Sequence, residues 1–522
     1  MAKDILEVTD LKDMLNKTRE LYGDKPGYKI KIGKGQYKTY THNEIRDMIN
    51  YLGTALISLG LKGKRIGVIG ENRYEWELAY LSVVCGVGIV VPMDKSLPAN
   101  ELEEVIERSE VEAIFYSKKY EETIKKIKYS EKNKLKHLIS MDIDIHDEGI
   151  YSEKELIEKG KEIVDSGNRE YINAKINPEE MRIMLFTSGT TSKSKVVALS
   201  HKNLVSNVMD YASVVDVDSN DKILSFLPLH HVYECTVGML VSLYVGAERS
   251  FCDGIRHIVE NLNEYKITYA AFVPAIYEMM YKNIWKMIEK KGKVEETKKL
   301  MQEYKDKSMQ EKKEIFKEIH DMYGGCIKLF ISGAAALDKE VIETFRNWGL
   351  NLCQAYGLTE TSPIIGIETN EHHRVGSIGR PIPHVEARID EADDDGVGEL
   401  VVKGPNVMLG YYNNKKATEE VMEDGWFHTG DLARIDEDGY IFICGRKKSV
   451  IVLKNGKNIY PEEMEGLVNK IEGVKESFIF GKQQTDDKDN IKIHVKIVFD
   501  KDIMTEAYTL ESKEDIYRVL AE

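Results

Sequence analysis

Residues 186–201, Phe-Thr-Ser-Gly-Thr-Thr-Ser-Lys-Ser-Lys-Val-Val-Ala-Leu-Ser-His, set six hydroxyl side chains (Thr187, Ser188, Thr190, Thr191, Ser192, Ser194) and Gly189 ahead of Lys195, then turn apolar. Small hydroxylated residues around a glycine let the backbone approach an anion and offer N–H and O–H donors, while the lysine adds a compact positive charge. The stretch reads as a polyphosphate cradle leading into a strand at Val196-Val197-Ala198-Leu199. Taken alone it also fits a polar surface turn. Gly189 and Lys195 keep the Gly-to-Lys spacing of a P-loop, but Ser194 replaces its second glycine and Val196 its Mg²⁺-binding Ser/Thr, so that reading fails twice.

Further along stand Gln354-Ala355-Tyr356-Gly357-Leu358-Thr359-Glu360-Thr361 and Gly425-Trp426-Phe427-His428-Thr429-Gly430-Asp431. Gly445-Arg446-Lys447-Lys448 and Gly456-Lys457-Asn458-Ile459-Tyr460-Pro461 follow. Together with the hydroxyl-rich stretch, in this order, they resemble the AMP-forming acyl-adenylate superfamily, most closely its long-chain fatty acyl-CoA synthetases. The resemblance runs from about residue 25 to the end.

Composition sets independent bounds. With 522 residues, 42% of them hydrophobic and 31% charged, the chain is long enough for a large core and more than one domain. A formal charge of −15 argues against a nucleic-acid surface, which needs a basic footprint. The cysteines at 85, 235, 252, 326, 353 and 444 form no C-x-x-C pair and read as buried thiols of a reducing compartment. No apolar run is long enough to span a bilayer, so a cytoplasmic protein is expected, with peripheral membrane contact left open and oligomeric state unread.

Short β-branched runs at 65–70, 89–92, 113–116, 137–141, 181–187, 222–226, 269–273 and 328–332 alternate with helical patterns, the rhythm of α/β layers with largely parallel strands. Several end in polar or glycine-rich turns, where α/β folds collect ligands. The expected fold is α/β: a large N-terminal domain over 1–446 of layered α/β subdomains, followed by a small, incomplete α+β C-terminal domain over 447–522. Inside the large domain a charged insert at 281–323 reads as a solvated helical pair, and 385–446 as a small β-rich subdomain. A last helix, capped by Ser512 and Asp515, stops at Glu522 in mid-pattern, so the chain is expected to be truncated at its C-terminus.

The resemblance implies roles. Thr187, Ser188, Gly189, Thr190, Thr191 and Lys195 wrap the ATP phosphates, and Thr187 and Glu360 hold Mg²⁺, a hard cation suited to oxygen ligands. Tyr356 stacks on adenine, with Gly333, Ala334, Ala335, Gln354, Ala355, Gly357 and Thr359 around the nucleotide. Asp431 takes the ribose hydroxyls and Arg446 the ribose and phosphate. Leu227-Pro228-Leu229-His230-His231 matches the family segment that sets His231 at the carboxylate end of the acyl pocket, while His230 is read as structural. Lys448 matches the hinge of the small domain, and Gly456 the pantetheine side.

The implied reaction joins a fatty acid to AMP with release of pyrophosphate and then transfers the acyl group to coenzyme A. Two departures from the family pattern stand out. Ser192, Ser194 and Val196 replace its commonest glycine, proline and glycine. The adenylation lysine near the end of the family's small domain is not reached, which implies weak adenylation with nucleotide binding retained. The alternatives are a ligase that loads a carrier protein and a non-catalytic nucleotide- or acyl-adenylate-binding protein.

Overall fold

The computed structural model describes residues 5–130, 132–147, 149–187, 194–453, 458–471, 473–483, 491–500 and 518. Ser188, Gly189, Thr190, Thr191, Gly456 and, residue 518 apart, the helix expected from Ser512 to Leu520 lie outside the described residues.

The chain divides into two compact units. The first comprises Met1–Val375, Gly379–Glu386 and Lys403–Met422, and the second Gly376–Ile378, Ala387–Val402 and Glu423–Glu522.

Among the described residues the first unit holds two large mixed sheets. One runs in the order Arg380–Pro381, Ile364–Ile367, Leu352–Gly357, Leu329–Ser332, Tyr269–Phe272, Lys222–Ser225, Glu248–Phe251, Pro26–Gly33, Gln36–Thr41. Its pairings from Leu352–Gly357 through Pro26–Gly33 are parallel. The other runs Gly410–Tyr411, Val196–Ser200, Met181–Phe186, Ile89–Pro92, Arg65–Ile69, Ala113–Tyr116, His137–Ser140, Ile150–Ser152. Its first two pairings are antiparallel and the rest parallel. Central strands such as Ala113–Tyr116 and Leu329–Ser332 are buried along their whole length, which is why they read as apolar runs rather than alternations.

Helices start where the sequence supplies caps. Thr41 and Glu44 form a reciprocal capping box at the head of His42–Ser58, whose Ile45, Ile49, Leu52 and Leu56 form one buried face. Ser200 ends its strand and immediately caps the helix His201–Val214. His201, the last residue of the opening stretch, is fully buried: Nδ1 accepts from Leu11 N at 3.1 Å and Nε2 lies 3.1 Å from Val84 O. It is a structural histidine.

The charged segment expected as a helical pair contains the end of Pro274–Lys290 followed by Val294–Glu303, Met309–Ile315 and Lys317–Met322. Gly292, with φ at +66°, breaks the first connection, and a second capping box, Ser308 with Glu311, restarts the chain after 304–307. Nor is the segment simply solvated. Phe316, Ile319 and Tyr323 enter the core with Phe330, Phe345 and Trp348, and His320 Nε2 lies 2.9 Å from Trp348 O.

The thiols divide evenly. Cys85, Cys235 and Cys353 are buried as expected, while Cys252, Cys326 and Cys444 are half-buried, and all six are free.

In the second unit, Trp426–Ile435 pairs antiparallel with Gly398–Lys403 on one side and Ile441–Arg446 on the other. Beyond these come the helix Pro461–Val468 and a long hairpin of Val474–Gln483 with Ile491–Phe499. Among the described residues no helix is long and apolar enough to cross a membrane.

Candidate active site

Parallel strands deliver their carboxyl ends to a common edge. On the nine-stranded sheet the neighbours Lys222–Ser225, Tyr269–Phe272, Leu329–Ser332 and Leu352–Gly357 are such a set. The first runs on into 227–231, the third into Gly333, Ala334 and Ala335, and the fourth carries Gln354, Ala355, Tyr356 and Gly357 before the turn with Thr359 and Glu360. Segments far apart in sequence are thereby gathered along one line. The Tyr233 ring ties two of them together, since a Cβ on Gly333 would lie 2.8 Å from its Cζ.

The Gly333 turn is bare in the required sense: Gly333 is buried, whereas Ala334, at φ +72°, and Ala335 are exposed. Gln354 is buried, and its Oε1 accepts from Leu337 N at 3.2 Å, bracing the far end of that turn. Ala355 is buried, and Tyr356 and Thr359 are half-buried. Gly357 is required by close approach, because a Cβ there would stand 1.8 Å from Pro363 O.

The turn that presents Glu360 is pinned from behind. Asn207 and Asn406 both donate from Nδ2 to Ile364 O, at 2.8 and 3.0 Å, and Asn406 also donates to Thr361 O at 2.9 Å.

On the second sheet the strands on either side of the hydroxyl-rich stretch, Met181–Phe186 and Val196–Ser200, pair antiparallel, with Phe186 opposite Val196. Thr187 closes its root, donating from N to Lys195 O at 3.0 Å. Arg108, from the helix Ala99–Ser109, grips Ser194 from Nη1 to Oγ at 2.9 Å and from Nη2 to O at 2.5 Å.

Lys195 and Glu360 meet through a residue that the sequence reading passed over. The ammonium of Lys195 sits 4.4 Å from the ring centroid of Tyr411, whose hydroxyl donates to Glu360 Oε1 at 2.8 Å. Tyr411 belongs to a two-residue edge strand paired with Val197, and the neighbouring Met408 N donates to Glu360 O at 2.8 Å. The Gly410-Tyr411 pair is too short for periodicity to reveal it.

His231 is solvent-accessible yet ringed by protein, and this partial desolvation lowers its pKa, with the Asp94 charge opposing. Nδ1 accepts from Tyr233 N at 3.3 Å, which puts the ring proton on Nε2. His230, half-buried 3.5 Å from Asp94, is pushed down to about 4 by burial.

Behind this segment lies a buried ionic cluster. Arg249 donates from Nε to Glu77 Oε1 at 2.6 Å and from Nη2 to Glu234 Oε1 at 2.7 Å, and Ser225 Oγ donates to the same Glu234 oxygen. Asn72 Nδ2 connects Ser225 Oγ at 2.9 Å with Leu227 O at 2.6 Å.

In the second unit Asp431 is buried opposite Arg446, and Arg446 Nε lies 2.9 Å from Asp431 Oδ1. Lys448 is exposed on the turn Lys447–Ser449 that follows.

The donors suit Mg²⁺. Among the described residues there is no cluster of three or more His, Cys, Asp or Glu that could cage an ion. The lone carboxylate of Glu360 fits a cation that takes most of its remaining ligands from water and substrate phosphates.

The model of the family described as AMP-binding enzyme matches residues 17–412. The chain is similar to the long-chain-fatty-acid–CoA ligase FadD15 of Mycobacterium bovis, with 28% identity over 463 residues, covering 85% of this chain and 75% of that protein. In fold it resembles ATP-bound MatB from Rhodopseudomonas palustris, with a TM-score of 0.74 and 23% identity over 99% of this chain and 92% of that one. It also resembles the o-succinylbenzoate CoA synthetase MenE of Bacillus subtilis in complex with its acyl-adenylate intermediate, with a TM-score of 0.73 and 19% identity over 96% and 92% of the two chains.

Proposed function

The chain belongs to the AMP-binding enzymes, and from that premise we propose that it activates a fatty acid with ATP and passes the acyl group to coenzyme A. The observation that carries the reading is the meeting of Lys195 and Glu360 at Tyr411, a cation and a carboxylate from separate sheets held at one point. Such a pair suits a bound polyphosphate with its divalent counter-ion.

In the first half-reaction a carboxylate oxygen attacks the α-phosphorus, and the bond to the bridging oxygen breaks to release pyrophosphate. Two anions must approach, so charge neutralisation and alignment dominate the barrier. Lys195 and Thr187 would hold phosphate oxygens, and Thr187 and Glu360 would hold Mg²⁺, which supplies further neutralisation when bound. Tyr356 would face adenine, with Asp431 and Arg446 on the ribose. His231 would orient the acid through its Nε2–H.

In the second half-reaction the thiol sulfur attacks the acyl carbon, the mixed anhydride opens, and AMP departs while the thiol proton passes to solvent. A hinge at Lys448 would let one site exclude water first and admit the thiol second.

The long-chain assignment is supported by the 28% identity to a long-chain-fatty-acid–CoA ligase. The test is acid-dependent AMP and pyrophosphate formation across fatty acids of increasing length, with CoA and a phosphopantetheinylated carrier protein offered as rival acceptors. Acyl-CoA formation that peaks with long chains is expected. Turnover only with the carrier protein, or ATP binding without turnover for any acid, overturns the reading.

A further inference from the structure

Tyr411 touches the two groups on which the nucleotide reading rests, and it is fixed from every side. Its side chain is buried, its backbone N donates to Thr418 Oγ1 at 2.9 Å, and the flanking Leu409 and Tyr412 donate from N to Ala198 O and Val196 O at 3.0 and 2.7 Å. The segment 408–412 therefore grips both the strand that leaves the phosphate loop and the turn that carries Glu360.

We propose that Tyr411 is a positioning residue that sets the carboxylate of Glu360 and the ammonium of Lys195 relative to one another, so that lysine and Mg²⁺ act on the same polyphosphate together. The inference rests on the nucleotide reading above. It adds to that reading a residue that makes no part of the phosphate loop and supplies no metal ligand.

The two contacts do different things. The phenol hydroxyl donates to Oε1 of Glu360, fixing the carboxylate plane and leaving Oε2 to a hard cation. The ring face engages one side of the Lys195 ammonium, leaving N–H donors on its other sides for phosphate oxygens. Phenylalanine would keep the ring contact and lose the hydroxyl, and leucine would lose both.

That difference makes the test. ATP binding is measured by calorimetry in EDTA and in Mg²⁺ for the wild type, Y411F and Y411L, with the thermal midpoint of each recorded. Y411F is expected to bind ATP in EDTA within about twofold of wild type, and to lose about fivefold or more of the Mg²⁺ enhancement. Y411L is expected to lose the same enhancement and also about threefold in EDTA. In an E360A background Y411F should change the Mg²⁺ response no further.

Equal losses for both variants with and without Mg²⁺ would reduce Tyr411 to packing and overturn the proposal. So would an unmoved Mg²⁺ response in a folded Y411F. Wild-type protein that binds no ATP in either buffer would overturn the nucleotide reading as well, whereas wild-type binding with an unaltered Y411F overturns this one alone.

Discussion

Arg108 closes a fork on Ser194, from Nη1 to the side-chain oxygen and from Nη2 to the carbonyl, while its guanidinium lies 5.3 Å from the ring centroid of Phe186. One side chain thus clamps the strand entering the phosphate loop and the residue just before Lys195. At Ser194, where the family pattern that the sequence resembles would have a proline, this chain restrains the backbone from outside.

The clamp predicts a rescue. R108Q should raise the KM for ATP about five- to tenfold, since two charge-assisted hydrogen bonds are lost at the loop root. S194P, whose ring fixes φ, should recover much of that loss in the R108Q background. Steady-state kinetics of the two single variants and the double variant decide it, and a double variant no better than R108Q refutes the substitution of clamp for ring.

The buried cluster of Glu77, Arg249 and Glu234 predicts a pH dependence of stability. Two carboxylates share one guanidinium, and burial raises Glu234 from its ordinary value to about 7 while Arg249 opposes. A carboxyl raised in the folded state binds its proton more tightly there than when unfolded. Its stabilisation is therefore complete below the unfolded pKa and is lost as pH climbs through about 7. Wild-type protein should lose about 2 °C or more of thermal midpoint between pH 5 and 7.5 that E234Q retains, followed by scanning calorimetry in both buffers.

Two glycines of the site should respond differently to alanine. At Gly357 the new Cβ meets the carbonyl of Pro363 at 1.8 Å, a backbone atom that cannot step aside without moving the Glu360 turn. G357A should abolish soluble expression or activity. At Gly333 the obstacle is the Tyr233 ring, at 2.8 Å, so G333A should cost about 1–3 kcal/mol of stability and Y233L should relieve it. Denaturant unfolding of G333A and G333A/Y233L measures the relief.

The Arg446–Asp431 pair gives a stability contrast within the second unit. Asp431 is 4% exposed and Arg446 57%. R446A strips a counter-charge from a buried carboxylate, whereas D431N removes the charge itself. The thermal midpoint of R446A should fall below that of D431N, and the double variant should rise above R446A.

Much of the fold was legible because buried parallel strands announce themselves. The runs at 89–92 and 113–116 coincide with Ile89–Pro92 and Ala113–Tyr116, β-branched and aromatic residues bounded by turns. The charged segment was harder. Its apolar residues are too sparse for a clear period, although the Ser308–Glu311 capping box was visible and marks a helix start that a two-helix reading omits.

The site was legible where a motif concentrates its chemistry in one stretch. Lys195, Glu360 and the Gly333 turn fall into that class. Arg108 and Tyr411 do not. Arg108 looks like the partner of Glu104 one turn earlier on its helix, and nothing local shows that it reaches residue 194. Tyr411 sits where a short apolar run, Val407-Met408-Leu409, gives way to the polar Asn413-Asn414, and its meaning comes from an edge strand paired with a segment some two hundred positions earlier.

That pairing of Gly410–Tyr411 with Val196–Ser200 bears on how the protein is made. On the ribosome the paired strands Met181–Phe186 and Val196–Ser200 emerge long before Gly410–Tyr411, the strand at the edge of their sheet. Until then Val196–Ser200 is an apolar edge with unpaired backbone groups, the kind of surface that recruits strands from neighbouring chains. Nascent chains stalled short of residue 410 should therefore be sticky and unable to seat Lys195, and synthesis through the Tyr411 segment both caps the edge and completes the cradle.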